Sequence, residues 1–302
     1  MQRFIHSLSH SLFDFDSSNT LGRRLHIRLI EAALMSFMIW FVWDWGFYVQ
    51  RNITEVLLPL GFAQYIDISF LFEHYMAWGN AALITVLAGV GFVRLWNPAY
   101  MIALVLFHLQ YTARYSLGEI SHGSNLVGMG VLAFALAVLF FSDEVHRRRF
   151  AMGFQYFFIG LGYTSAAFCK LIGTGITWPH GIHMKMWINE RIVDTVSKFG
   201  AFEPNLLQEM ILAEYHWGTA VLVFGLLAEL LSFLIWWPQF RKPVLFLVFT
   251  MHIGILITMN IFFWASTYLL ILLVLPLDRI IDAAWDGQSL HWPSWNALRR
   301  TA

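Results

Sequence analysis

The sequence predicts an all-α fold: a polytopic membrane helix bundle with about eight transmembrane helices and a helical loop on its outer face. Three observations carry that reading. Hydrophobic residues make up 58% of the 302 residues, charged residues only 13%, and mean hydropathy is +0.61. A soluble globular domain carries about 25% charged residues, so this composition fits lipid as the solvent. The apolar residues also gather into runs near the roughly 20 residues that cross a bilayer as a helix. Finally, the basic residues are dense in alternate connections and sparse in the others.

The same figures argue against soluble enzyme folds and disordered scaffolds. A formal net charge of zero argues against a nucleic-acid partner. The one cysteine, Cys169, allows no intramolecular disulfide and no cysteine-based zinc site. Histidine is plentiful, with 12 residues, whereas lysine occurs only 4 times.

The elements follow in order. In the first segment, 1–26, Phe4, Ile5, Leu8 and Leu12 are spaced helically among polar residues. That pattern fits an amphipathic helix on the cytoplasmic membrane surface and not a cleavable signal. Candidate spans cover 28–49, 74–93, 97–116, 122–141, 151–172, 215–237, 244–262 and a short stretch, 264–277, that Pro276 ends early. The membrane domain is thus 27–278, and 279–302 is a cytoplasmic tail.

The longest connection, 173–214, falls on the outer face. Ile188, Ile192, Val193, Val196 and Phe199 form one apolar stripe, and Gly200 is placed to end that helix. After Pro204, the residues Leu206, Leu207, Met210 and Ile211 start a second stripe. Two interfacial helices are expected over the outer mouth of the bundle.

Lysine and arginine counts set the orientation. With the N-terminus inside, 13 basic residues fall on inner segments and 5 on outer ones, with Lys170 inside a span. Both termini are therefore expected in the cytoplasm, with the chain in a bacterial inner membrane or a plasma membrane.

Ionisable groups inside lipid are costly and usually functional. Lys170 lies two residues before the expected outer end of its span. It could snorkel to the outer headgroups. The preceding residues Gly160, Gly162, Thr164, Ser165, Ala166 and Ala167 are small, however, and such residues face other helices. An amine kept neutral among packed helices is a usable base. Asp44, His74, His108, Arg114, Glu119, His122 and His216 are expected in the outer halves of their spans and His252 near the middle. Glu31 and Glu229 are expected deeper or on the inner side. An outer-facing polar cavity would collect most of the first group.

Metal chemistry finds little support. His180 and His183 form a lone i, i+3 pair, and HEXXH and paired Glu-x-x-His patterns are absent. No metal is expected. The glycines of 123–130 open a membrane helix and do not form a phosphate loop.

Three stretches carry a family resemblance. The run QYFFIGLGYTSAAFCKLIGTGITWPHG at 155–181 resembles the segment around the catalytic lysine of vitamin K-dependent gamma-carboxylases. SHGSNLVGMGVLAFAL at 121–136 resembles the histidine-led span preceding it, and the stretch at 244–276 resembles their histidine-bearing hairpin. In this order they resemble the HTTM domain, the membrane module shared by those enzymes and many smaller bacterial proteins, over most of 20–280.

The resemblance implies specific roles. Lys170 would be the general base that deprotonates reduced vitamin K or a related quinol, with His122 and His252 as further catalytic residues of the pocket. Tyr163, His108, Arg114 and His216 are the candidates to bind that cofactor. In the family's chemistry the deprotonated quinol reacts with O2, and the strong base so formed takes a proton from glutamate before CO2 adds. The implied enzyme is of the carbon–carbon lyase and monooxygenase type, performing carboxylation with epoxidation. Two departures bear on the substrate: Cys169 stands where animal enzymes carry a second lysine, and the 173–214 loop stands in place of their large lumenal portion.

Three function classes remain open. One is an enzyme acting on a lipid-soluble quinol or other small substrate. The second is a non-catalytic membrane protein that binds a lipid, quinone or peptide for toxin maturation or immunity. A transporter is the third, and only Glu31 and Glu229 hint at the inner polar half it would need.

Overall fold

The computed structural model describes residues 2–13, 19–48, 61–116 and 122–286. These form helices and connections, with no strand among the described residues. The α-helices are α1 (Gln2–Phe13), α2 (Leu21–Tyr48), α3 (His74–Phe92), α4 (Ala99–Ser116), α5 (His122–Phe140) and α6 (Glu144–Thr174). They continue as α7 (Gly181–Phe199), α8 (Leu206–Ala213), α9 (Tyr215–Leu230), α10 (Arg241–Met259), α11 (Trp264–Val274) and α12 (Leu277–Asp286). Short 3-10 turns occupy Gly61–Gln64, Ser69–Phe72, Gly175–Thr177 and Leu231–Trp236.

Among the described residues, 5 helices are long and apolar enough to cross a membrane: Leu21–Phe47, Tyr75–Phe92, Glu144–Thr177, Tyr215–Trp236 and Arg241–Met259. The pair Trp264–Val274 and Leu277–Trp285 makes a sixth if its 50° bend lies within one span. Asn125–Phe140 is a shorter apolar helix.

Several expected boundaries move. The first long helix starts at Leu21 and not at 28. Its extra turns are anchored, because Gly22 N–H donates to Asp282 Oδ1 at 2.7 Å and Arg23 Nη1 to Asp278 Oδ2 at 3.0 Å. The fifth expected span, 151–172, lies inside a longer helix that begins at Glu144. Asp143 starts it by accepting the His146 backbone N–H at 2.9 Å. The final stretch stops at Val274 because Pro276 cannot continue the hydrogen-bond ladder, and α12 leaves at an angle.

The chain divides into two compact units. One comprises residues 2–12 and Tyr156–Val274. The other comprises Phe13–Gln155 and Leu275–Ser294. In this second unit α2 touches α3, α4, α5 and α12. Its core includes Trp45, Ile68, Leu71, Phe72 and Ala113, and Trp45 satisfies its indole by donating to Leu71 O at 3.1 Å.

In the first unit α9 packs against α7, α8 and α10. Met184, Ile188, Ile211 and Leu222 form its core cluster. The loop helices expected between 173 and 214 are present as α7 and α8. Gly200 ends α7 in the left-handed conformation, and Asn205 with Gln208 makes a reciprocal cap at the start of α8. The α7 stripe divides, however. Ile188 is buried and Ile192 packs beside it, whereas Val193, Val196 and Phe199 remain exposed. A close crossing fixes α7 on α9: a Cβ at Gly181 would stand 1.7 Å from Tyr215 O. The Gly181 N–H instead donates to Thr219 Oγ1 at 2.9 Å. At the other end of the unit, Arg241 Nη2 donates to Ser11 O at 2.6 Å, satisfying a carbonyl at the end of α1. Leu12 is buried, Leu8 is half-buried, Ser7, Ser9 and His10 are exposed, and the side chains of Phe4 and Ile5 lie outside the described residues.

Candidate functional site

The site is built on α6. Gly160 lets the six-residue turn after α9 approach this helix closely; a Cβ there would meet Trp236 Nε1 at 2.5 Å and Ser232 O at 3.1 Å. Trp236 Nε1 donates to Phe157 O at 3.1 Å, and Thr164 Oγ1 donates to Glu229 O at 3.3 Å. These contacts fix the register of α6 against α9. Ala167, one turn further on, is buried.

That register brings Lys170 to Glu229. The Lys170 ammonium donates to both carboxylate oxygens, to Oε2 at 2.6 Å. Glu229 is 7% exposed, so its carboxylate is withheld from solvent and depends on this partner. The ammonium also lies 4.7 Å from the centroid of the Trp178 ring, in cation–π contact.

Tyr163 lies seven residues before Lys170, and seven residues are nearly two full turns, so both leave the same face of α6 about 10 Å apart along it. The Tyr163 hydroxyl is 2.6 Å from His252 Nε2 on α10. His252 is buried, Phe263 meets its ring edge-on at 5.4 Å between centroids, and its Nδ1 has no hydrogen-bond partner among the described residues. The first unit thus carries two polar pairs across its helices, Lys170 with Glu229 and Tyr163 with His252, the Lys170 side chain 30% exposed.

One expectation needs correction. Lys170 is not two residues from the end of its helix. α6 runs to Thr174 and a 3-10 turn carries the chain to Thr177. Glu229, expected deeper or on the inner side, is at the reach of the Lys170 side chain. The helical path continues through Gly173, Thr174 and Gly175, so Lys170 lies further from the end of its helix than the expected span boundary at 172 implies. The small-residue face is also narrower than expected. Gly160 and Ala167 are buried, whereas Ser165 is exposed and donates to Gly162 O at 2.9 Å.

The other candidates are placed differently. His216 is exposed near the start of α9, its ring 4.1 Å from that of Tyr215. His108, Arg114 and His122 belong to the second unit. Arg114 Nη1 donates to Asp44 Oδ2 at 2.9 Å, and its guanidinium lies over Trp45, so it ties α4 to α2. His108 is exposed with its ring beside Tyr111. His122 begins α5, but its side chain, that of His74 and all of Glu119 lie outside the described residues. Glu31 is fully enclosed by donors: Tyr100 Oη at 2.7 Å, Arg28 Nη1 at 2.8 Å and Arg94 Nη2 at 3.0 Å. In the outer loop, His180 caps α7 by accepting from Ile182 N–H, and His183 Nδ1 contacts Trp178 O at 2.8 Å. These histidines hold the turn after Trp178.

The residue that sequence reasoning left out of the site is Glu229. Its signal was present, since an acid within an apolar run requires a cation; the identity of the partner depended on helix register.

No protein-family model, curated protein sequence or solved structure matches this chain.

Proposed function

We infer that the chain is an integral membrane protein of about eight spans with both termini in the cytoplasm, and that its Lys170–Glu229 pair handles the proton of a lipid-soluble hydroxyl substrate, a quinol. The 13-to-5 division of basic residues supports the orientation. The spans are α2 to α6, α9 with its 3-10 continuation, α10 and α11. One observation carries the chemistry: a lysine and a carboxylate are paired inside the bundle, beside a tyrosine–histidine pair. Charged pairs at such depth are costly and are found where protons or ions are handled.

The residues fit a quinol. Trp178 and Phe263 supply aromatic faces, and the His252 Nδ1 lacks a bonding partner among the described residues. A bound quinol would supply an acidic hydroxyl and reducing equivalents; reduced vitamin K is the member of this class that the family resemblance implies, with carboxylation and epoxidation as the reaction. The chain's own part is proton transfer. Because Lys170 donates to both oxygens of Glu229, the remaining lone pairs belong to the carboxylate. The substrate O–H bond breaks, Glu229 gains the proton, and the negative oxygen left behind faces the Lys170 ammonium. Lys170 acting alone, as a neutral amine, is the other route to the same net transfer.

The test is quinol turnover in liposomes. Lys170→Met and Glu229→Gln should each abolish it while the protein still folds. Lys170→Arg decides which group takes the proton, since guanidinium keeps the charge but cannot accept a proton. Residual turnover assigns the proton to Glu229, and complete loss assigns it to Lys170. Full turnover in both Lys170→Met and Glu229→Gln would overturn the reading.

The mutual satisfaction of Lys170 and Glu229 favours one further reading: a protein that binds a lipid, quinone or peptide without turning it over, in toxin maturation or immunity. Quinone binding by the wild type with no turnover under any condition would select it.

A further inference from the structure

The second unit contains a basic cavity that the proton-handling site does not use. It measures about 280 Å³ and is lined by Arg24, Arg28, Arg94, Arg147 and Arg148, by the carboxylates Glu31 and Glu144, and by apolar residues including Ile27 and Phe134. Five guanidinium groups against two carboxylates leave three positive charges in excess.

The arginines are not equally committed. Arg28 and Arg94 hold Glu31, while Arg148 donates to Glu144 and to Asn19. Arg147 donates to Phe141 O and Ser142 O at the end of α5. Arg24 is exposed at the cavity, and no acidic side chain pairs with it among the described residues. The rim is therefore held open by ion pairs and carries an excess charge that calls for an anion.

Phosphate oxygens suit such a cluster, because guanidinium groups bind them through paired N–H donors. Position selects the source. These residues lie at the start of α2, the end of α3 and the start of α6, the ends that the positive-inside pattern assigns to the cytoplasmic leaflet. Anionic phospholipids concentrate there, and basic pockets among transmembrane helices on that side bind their headgroups. The apolar lining beside the arginines matches a ligand with a charged head and a greasy remainder. We propose that this cavity holds the phosphate headgroup of an anionic phospholipid from the inner leaflet. The inference is independent of Lys170 and its chemistry.

Native mass spectrometry of the full-length protein tests it, with phosphatidylglycerol and phosphatidylcholine presented in mixed detergent micelles and inorganic phosphate presented separately. Phosphatidylglycerol should bind saturably and phosphatidylcholine should not. Arg24→Gln should weaken phosphatidylglycerol binding about fivefold, the effect of roughly one basic residue at an anionic membrane surface, and Arg24→Lys should retain most of it. Arg149, which does not line the cavity, should tolerate replacement by Gln without loss. Equal binding of both lipids, equal losses in Arg24→Gln and Arg149→Gln, or inorganic phosphate binding as tightly as the lipid would each overturn the proposal.

Discussion

Lys170 and Glu229 stand 59 residues apart in the chain and meet in a two-oxygen ion pair between α6 and α9. Breaking one side of such a pair leaves a charge stranded in an apolar medium. Glu229→Gln is expected to cost about 3–5 kcal/mol. The double replacement Lys170→Met with Glu229→Leu should recover most of that, because it removes both charges and keeps the volume. Thermal unfolding in detergent measures the difference. A double variant less stable than Glu229→Gln would show that the pair is not the unit that matters.

Tyr163 and His252 make the second pairing across the unit. Tyr163→Phe leaves the buried His252 without its hydroxyl partner and should cost about 1–3 kcal/mol. His252→Leu together with Tyr163→Phe should cost less than the sum of the two single changes. Strict additivity in this cycle would mean the two side chains do not interact.

Much of the fold was readable from the chain. Apolar runs placed most of the helices within a few residues, but the starts of α2 and α6 lie seven residues earlier than expected, because polar and basic residues open both helices. The stripe around Ile188 and the stop at Gly200 placed α7. What could not be read was side-chain pairing. Lys170 and Glu229 were both visible as charges in apolar runs, but which turn of α9 faces which turn of α6 is decided by Gly160 against Trp236, a contact without local periodicity. The pairing of Arg114 with Asp44 was hidden for a related reason, since it too depends on the register of two helices.

Orientation can be checked by labelling. In a Cys169→Ser background, a cysteine at Ser197 should react with an impermeant reagent in intact cells, and one at Ser142 should react only after permeabilisation. Both positions are exposed in the fold. The reverse pattern would invert the assignment of the basic cavity to the inner leaflet.

The N-terminus of α6 should be sensitive to acid. The His146 backbone N–H and then its side chain hydrogen-bond to Asp143 and hold that carboxyl below its ordinary value. A depressed carboxyl contributes stability above its unfolded value and loses it as pH falls through the folded one. Capping should therefore persist at pH 5 and fade below the usual carboxylate range. Asp143→Asn, which still caps, should flatten that acid limb. Hydrogen exchange of the His146 amide against pH would report it, and an unchanged acid limb in Asp143→Asn would refute the assignment.

The bond from Gly22 to Asp282 joins residues 260 positions apart, and the whole of the first unit's main segment is synthesised between them. At about 5–20 residues per second, α2 waits roughly 13–52 s after emerging before α12 exists to cover its first turns. During that interval the bonds of Gly22 and Arg23 to Asp282 and Asp278 cannot form. The unit built around α2 is therefore incomplete until the intervening unit has been made, and the newborn chain depends on whatever holds the first turns of α2 in place until α12 follows.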